Sequence, residues 1–210
     1  MRPAVALCAV LLAGPAMAHD GETHGGQAEA LRHLSEAPLE GDASPFSIEL
    51  GGAFTLTDQW GAPRGEADPE GWLQLFFFGY AECQAICTVA LPRMAEIAEI
   101  AAEAGLKVRP VLITVDPARD TPEAMRAPLA GLHPDMVGLT GSEEELSAVR
   151  RLFRVERKVV FEDSEYGEVF AHGSFIYLMD AEGRLLTLIP PIISPARGAE
   201  IVARYAGAGG

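Results

Sequence analysis

Trp72-Leu73-Gln74-Leu75-Phe76-Phe77-Phe78-Gly79-Tyr80-Ala81-Glu82-Cys83-Gln84-Ala85-Ile86-Cys87-Thr88 carries an apolar run straight into two cysteines four positions apart. Trp72 to Phe78 has the length and continuous apolarity of a central strand buried on both faces. From about Thr88 to Ala104 the apolar residues recur at helical spacing (Leu91, Met94, Ala95, Ile97, Ala98, Ala101, Ala102), and Gly105 supplies a C-terminal stop. Pro92 helps set the start, because proline is tolerated in a helix's first turn and breaks the ladder further in. The helix is therefore expected to open near Cys87 or Thr88, with Cys83 in the loop or opening turn ahead.

Apart from Cys8, these are the only cysteines in the chain. Closing so short a loop removes little entropy from the unfolded state, so a purely stabilising disulfide is a poor explanation. Chemistry is the better one: redox, metal binding, or both. Free N–H groups and the positive end of the helix dipole favour thiolate over thiol at such a position. A spacing of four also lets both sulfurs face one side if that turn is helical. Two thiolates suit soft ions such as Cu(I) or Zn(II), and a third ligand would be expected. Of the five histidines, His19, His24 and His33 lie near the N-terminus, and His133, before Pro134, reads as a solvated loop residue. His172 stands in Ala171-His172-Gly173-Ser174, just ahead of an apolar segment. Spacing alone does not bring it to the cysteines.

The rest of the domain alternates strands and helices. Gly52 to Thr57 and its surroundings read as short strands ending in the turn Asp58-Gln59-Trp60-Gly61, and Val108 to Val115 as the next buried strand. Thr121-Pro122-Glu123 opens a helix with a capping hydroxyl and a proline at the first position. Ser142-Glu143-Glu144-Glu145 opens another, with acidic residues where the dipole favours them. Val155 to Val160 and Ser174 to Met179 read as strands, Arg184 to Leu188 as a hairpin partner, and Pro195 to Tyr205 as a final helix. This order implies an α/β sandwich. Met94, Met125 and Met179 fit core positions rather than a metal-binding stripe. Asp120 or Thr121 is expected to cap the following helix and Arg119 to pair with a carboxylate, with support of an active site by Asp116, Arg119 and Asp120 as the alternative. The acidic run Glu162, Asp163, Glu165, Glu168 is expected to be a solvated loop, a partner-docking hairpin being the alternative.

The composition, 49% apolar and 22% charged in 210 residues, is that of one globular domain with flanking segments. A formal net charge of −14 excludes a phosphate-binding surface, so nucleic acid is not an expected partner. Arg2, the apolar stretch Ala4 to Leu12 and Ala16-Met17-Ala18 have the three parts of a cleavable export signal. The stretch is too short for a permanent anchor. We expect a signal peptide over residues 1–18, a flexible His-containing tail over 19–43, and one domain over 44–210 in the periplasm. Cleavage would expose His19, whose α-amine and imidazole, with His24 as a further donor, could chelate a secondary metal ion, a polar tail with incidental histidines being the alternative.

Several motifs in order resemble the Sco/SenC family of thioredoxin-like copper-binding proteins, from about Gly51 to Tyr205. They are Phe78-Gly79-Tyr80 leading into Cys83-x-x-x-Cys87, then Ile113-Thr114-Val115-Asp116-Pro117-Ala118-Arg119-Asp120-Thr121-Pro122-Glu123 and Gly138-Leu139-Thr140-Gly141. The last is His172-Gly173-Ser174-Phe175-Ile176-Tyr177-Leu178-Met179-Asp180. The resemblance implies a thioredoxin-like fold: a central mixed sheet flanked by helices, with an added β-hairpin. It further implies that Cys83, Cys87 and His172 are ligands of Cu(I) and Cu(II). The partner it implies is a copper-receiving protein, such as subunit II of cytochrome c oxidase or another periplasmic copper chaperone. A thiol–disulfide oxidoreductase cycling Cys83 and Cys87, which keeps a copper-site protein reduced, is the alternative. Three positions depart from the family pattern: Gln84 and Thr88 stand where proline usually follows each cysteine, and Ala171 replaces an aspartate before the histidine. General thioredoxin-like reductases differ in another way, with a Cys-x-x-Cys spacing and a cis-proline about where Ser174 stands here.

Overall fold

The structure, a computed structural model, describes residues 50–81, 87–164 and 167–207, with Cys87 described by its backbone alone. In chain order the elements are β1 (Leu56–Asp58), β2 (Pro63–Arg64), β3 (Leu73–Gly79), α1 (Cys87–Glu103), β4 (Val108–Thr114), α2 (Pro122–Leu132), β5 (Val137–Thr140), α3 (Glu143–Leu152), β6 (Lys158–Asp163), β7 (Gly167–Ala171), β8 (Ile176–Met179), β9 (Leu185–Ile189) and α4 (Pro195–Ala206). One seven-stranded sheet has the order β2-β1-β5-β4-β3-β8-β9, and β6 and β7 form a separate two-stranded ribbon. Strands β3, β4 and β5 are mutually parallel, and the outer strands join antiparallel. The mixed central sheet, flanking helices and added hairpin are the thioredoxin-like architecture that the resemblance implies.

The register assigns the two faces. Phe77, Leu112 and Gly138 are direct neighbours across β3, β4 and β5, so they share a face. A Cβ on Gly138 would lie 2.5 Å from Leu129 and 2.8 Å from Met125, so α2 covers that face at contact distance. Right-handed β3-α1-β4 and β4-α2-β5 crossovers put α1 on the same side. Phe76, Phe78 and Tyr177 point the other way, onto Phe153 just after α3, and Phe54 closes this cluster edge-on. The core therefore has two layers around β3, and Phe76, Phe77 and Phe78 are all fully buried.

Several boundaries differ from the sequence expectation, each for a local reason. Residues 51–55 form no strand: Gly51 has φ 95°, its N–H bonds Leu152 O, and Phe54 packs onto the core instead. The strand expected from Val155 starts at Lys158, because Arg154 adopts φ 55° and the Val155 N–H folds back to Arg150 O as a helix stop. Pro92 falls inside α1 rather than in its first turn, although the helix does open at Cys87. Ala102 is exposed, whereas Leu91, Met94, Ala95, Ile97, Ala98 and Ala101 are buried as the spacing predicts. Met94, Met125 and Met179 are fully buried. The signal and tail assigned to residues 1–18 and 19–43 lie outside the described residues.

Candidate metal centre

The parallel strands β3 and β4 end at Gly79 and Thr114, and the segments that follow them hold most of the residues singled out in the sequence. The Val115 N–H still bonds Gly79 O at 2.7 Å, so the two strand ends stay together. Beyond β3 the chain passes through Tyr80 and Ala81 to Cys87, the first residue of α1. Cys83 lies outside the described residues, as do His19 and His24, and Cys87 is described by its backbone alone.

His172 is at the same end of the sheet. It follows the last residue of β7, is half-buried, and meets Phe77 at 5.7 Å and Tyr80 at 6.2 Å between ring centres, both edge to face. Phe77 belongs to the sheet face that α1 and α2 cover, so the imidazole stands on the side where α1 begins. Its Nδ1 lies 2.9 Å from Gly173 O. A donor at Nδ1 would leave Nε2 as the lone-pair nitrogen. Among the described residues no group of three His, Cys, Asp or Glu converges, and the two thiols of the proposed set are not among those residues.

The turn after β4 is tied to the thiol-bearing segment by a buried carboxylate. Asp120 accepts from the Ala81 N–H at 3.0 Å and from Thr114 Oγ1 at 2.7 Å, and Thr114 Oγ1 in turn accepts from the Asp116 N–H. Burial pushes the Asp120 carboxyl up to about 6, against the pull of the Thr114 and Ala81 hydrogen bonds, and the neighbouring Asp116 charge adds to the rise. Thr121, not Asp120, caps α2, its side chain accepting from the Ala124 N–H. Arg119 pairs with Asp116 as expected, and also donates to Glu168 O in β7 at 2.7 Å. Arg157 holds the base of the ribbon from the other side, donating to Val115 O at 2.6 Å with its guanidinium 3.8 Å from the Phe170 ring centre.

Two expectations need correction. The acidic residues Glu162, Asp163 and Glu168 lie on the paired strands β6 and β7 rather than in a loop, so this segment is a hairpin. Its ribbon form was not signalled by burial: every residue of β6 from Lys158 to Glu162 is exposed. His133 is buried, not solvated: it caps α2, and its Nδ1 accepts from the Asp135 N–H at 3.1 Å. Sequence reasoning also missed Tyr80, whose ring is buried between Phe170 and His172. Its place directly after the central strand was the available signal.

A mixed central sheet flanked by helices, with an added hairpin that returns the chain to the end of the central strand, defines a thioredoxin-like domain. The chain belongs to the SCO1/SenC family, whose model matches residues 42–207. A SCO2-like protein of Rickettsia felis is 37% identical over 154 residues, covering 72% of this chain and 75% of its own length. Among solved structures, Bradyrhizobium japonicum ScoI with copper bound has a TM-score of 0.66 at 33% identity, over 74% of this chain and 99% of that one. Arabidopsis thaliana ScoI with copper bound has a TM-score of 0.70 at 29% identity, over 74% and 96%.

Proposed function

We propose that this protein is an exported copper metallochaperone that carries copper on Cys83, Cys87 and His172 and delivers it to a copper-site protein. Copper-site assembly in subunit II of cytochrome c oxidase is the recipient the family resemblance favours. The observation that carries the reading is that His172, distant in sequence from the cysteines, stands at the strand end where α1 opens with Cys87. The donor set fits the cargo. Two soft thiolates suffice for low-coordinate Cu(I), and an added imidazole gives a set that also accepts Cu(II). The two copper-bound ScoI structures support the same cargo. An export signal over residues 1–18 agrees with a thiol pair held in an oxidising compartment, where a soft metal or a reductant keeps it from the disulfide state. Among the described residues no helix is long and apolar enough to cross a membrane. His19 and His24 would add a weaker, nitrogen-rich Cu(II) site that depends on a free α-amine.

Titration of the reduced protein beginning at His19 tests this directly. One Cu(I) per chain is expected, and Cys83→Ser or Cys87→Ser should abolish tight binding, since one thiolate does not hold a soft ion against competing ligands. His172→Ala should retain Cu(I) while losing or shifting the Cu(II)–thiolate absorption. Stoichiometric, tight Cu(I) retention by either serine variant would falsify the ligand set.

A further inference from the structure

Arg119 joins three pieces of chain around His172. Its Nε donates to Asp116 in the turn after β4, and its Nη2 donates to Glu168 O in β7 at 2.7 Å. Its guanidinium carbon lies 5.2 Å from the centre of the Tyr80 ring and 6.0 Å from that of Phe170. Tyr80 meets Phe170 edge-on at 6.2 Å and 90°, and meets His172 at 6.2 Å and 77°. A single planar cation thus links the β4–α2 turn, the end of β3 and the strand whose last residue, Ala171, immediately precedes His172. Only a guanidinium can bond in its plane to a carboxylate and a carbonyl while presenting its flat face to a ring.

Beside its Nδ1 contact with Gly173 O at 2.9 Å, the imidazole rests on its backbone, delivered by β7, and on the ring surface of Phe77 and Tyr80. Arg119 touches the backbone support through Glu168 and the ring surface through Tyr80. We propose that Arg119 is a positioning residue for His172, fixing the direction of the imidazole and so setting the Cu(II) affinity and spectrum of the centre. Cu(I), held by the two thiolates, is left unaffected. The copper part of this inference rests on the reading of Cys83, Cys87 and His172 as ligands.

The test compares the wild type with Arg119→Gln, Arg119→Lys and Tyr80→Leu. Tyr80→Leu removes the ring contact while the Arg119–Asp116 pair stays, and it carries the test if Arg119→Gln does not fold. In metal-free protein, the ring resonances of His172 should shift in Arg119→Gln and Tyr80→Leu, and amide exchange over residues 167–171 should speed up in Arg119→Gln. On Cu(II) titration, affinity should fall roughly 10–100-fold, the size typical for groups that orient a metal ligand. The Cu(II)–thiolate band should move while Cu(I) stoichiometry stays at one. Arg119→Lys should fall between, because an ammonium keeps the pair with Asp116 and loses the planar bridge. Unchanged His172 resonances in Arg119→Gln would overturn the inference whatever the copper result. If the wild type took up no copper at all, the ligand reading would fail, and the metal-free resonances would still decide what Arg119 does.

Discussion

Two carboxylates in the turn after β4 have opposite environments. Asp116 is buried beside the Arg119 guanidinium, which matches its charge. Asp120 is equally buried but is held by Thr114 and the Ala81 N–H, neutral donors that do not offset the loss of water. Its carboxyl rises from 3.8 to about 6, so the native state binds more protons than the unfolded chain between those values. Stability from this group is therefore full below pH 4, falls as pH rises to about 6, and is flat above. The shift of about two units corresponds to something on the order of 3 kcal/mol. Asp120→Asn can still accept from Ala81 and bond Thr114 without the charge. Denaturation measured against pH should show the variant gaining on the wild type by up to that amount from pH 4 to pH 6. Parallel stability curves across that range would show that Asp120 does not titrate as its burial implies. None of this was legible in the sequence, where Asp120 and Thr121 were equal candidates for the cap. Only the packing of Ala81 over the turn separates a capping hydroxyl from a buried acid. His133 escaped for the same reason, its imidazole serving a turn whose burial no local pattern reveals.

Elements with one strong periodicity were readable, and elements held by contacts far apart in sequence were not. The buried strands β3 and β4 and the apolar stripe of α1 follow from local composition. Strand β7 does not, because only Phe170 of its five residues is buried and its partner β6 is exposed from Lys158 to Glu162. The α1–α4 contact is another long-range feature, and it turns on a glycine. A Cβ on Gly198 would lie 2.3 Å from Cδ1 and 2.6 Å from Cγ1 of Ile97, a side chain with no exposed surface. Gly198→Ala improves helix propensity in α4 but must push the two helices apart, and overpacking of this kind costs about 1–3 kcal/mol. Ile97→Ala removes both Cδ1 and Cγ1 and alone should cost about 2–5 kcal/mol. The double variant should be less destabilised than the sum of the two, because the smaller side chain makes room for the new methyl. Additive costs in urea denaturation would mean that α4 moves as a body and the contact with Ile97 is not what limits it.

At the scale of the molecule, Tyr80 and His172 meet although they stand roughly ninety positions apart in the sequence, which is why spacing alone did not bring His172 to this strand end and only the ordered family motifs singled it out as a candidate. The same arrangement bears on whether the thiol pair serves one partner or many. A general disulfide reductase must hold an arbitrary polypeptide beside its cysteines, and thioredoxin-like reductases do so with a cis-proline before the strand equivalent to β8. Here that position is Ser174, which is exposed. The Cys83-x-x-x-Cys87 spacing is also one residue longer than in those enzymes. The imidazole of His172 lies against Phe77 and Tyr80 at the end of β3. The protein should therefore form its Cys83–Cys87 disulfide readily yet reduce insulin far more slowly than a thioredoxin assayed beside it. Ser174→Pro alone should not restore that activity, since the Cys83-x-x-x-Cys87 spacing still differs from that of the reductases. Insulin reduction at a thioredoxin-like rate by the wild type would shift the assignment to a reductase. Reduction confined to the thiols of a copper-site protein would instead mean that the same pair both carries the metal and prepares its destination.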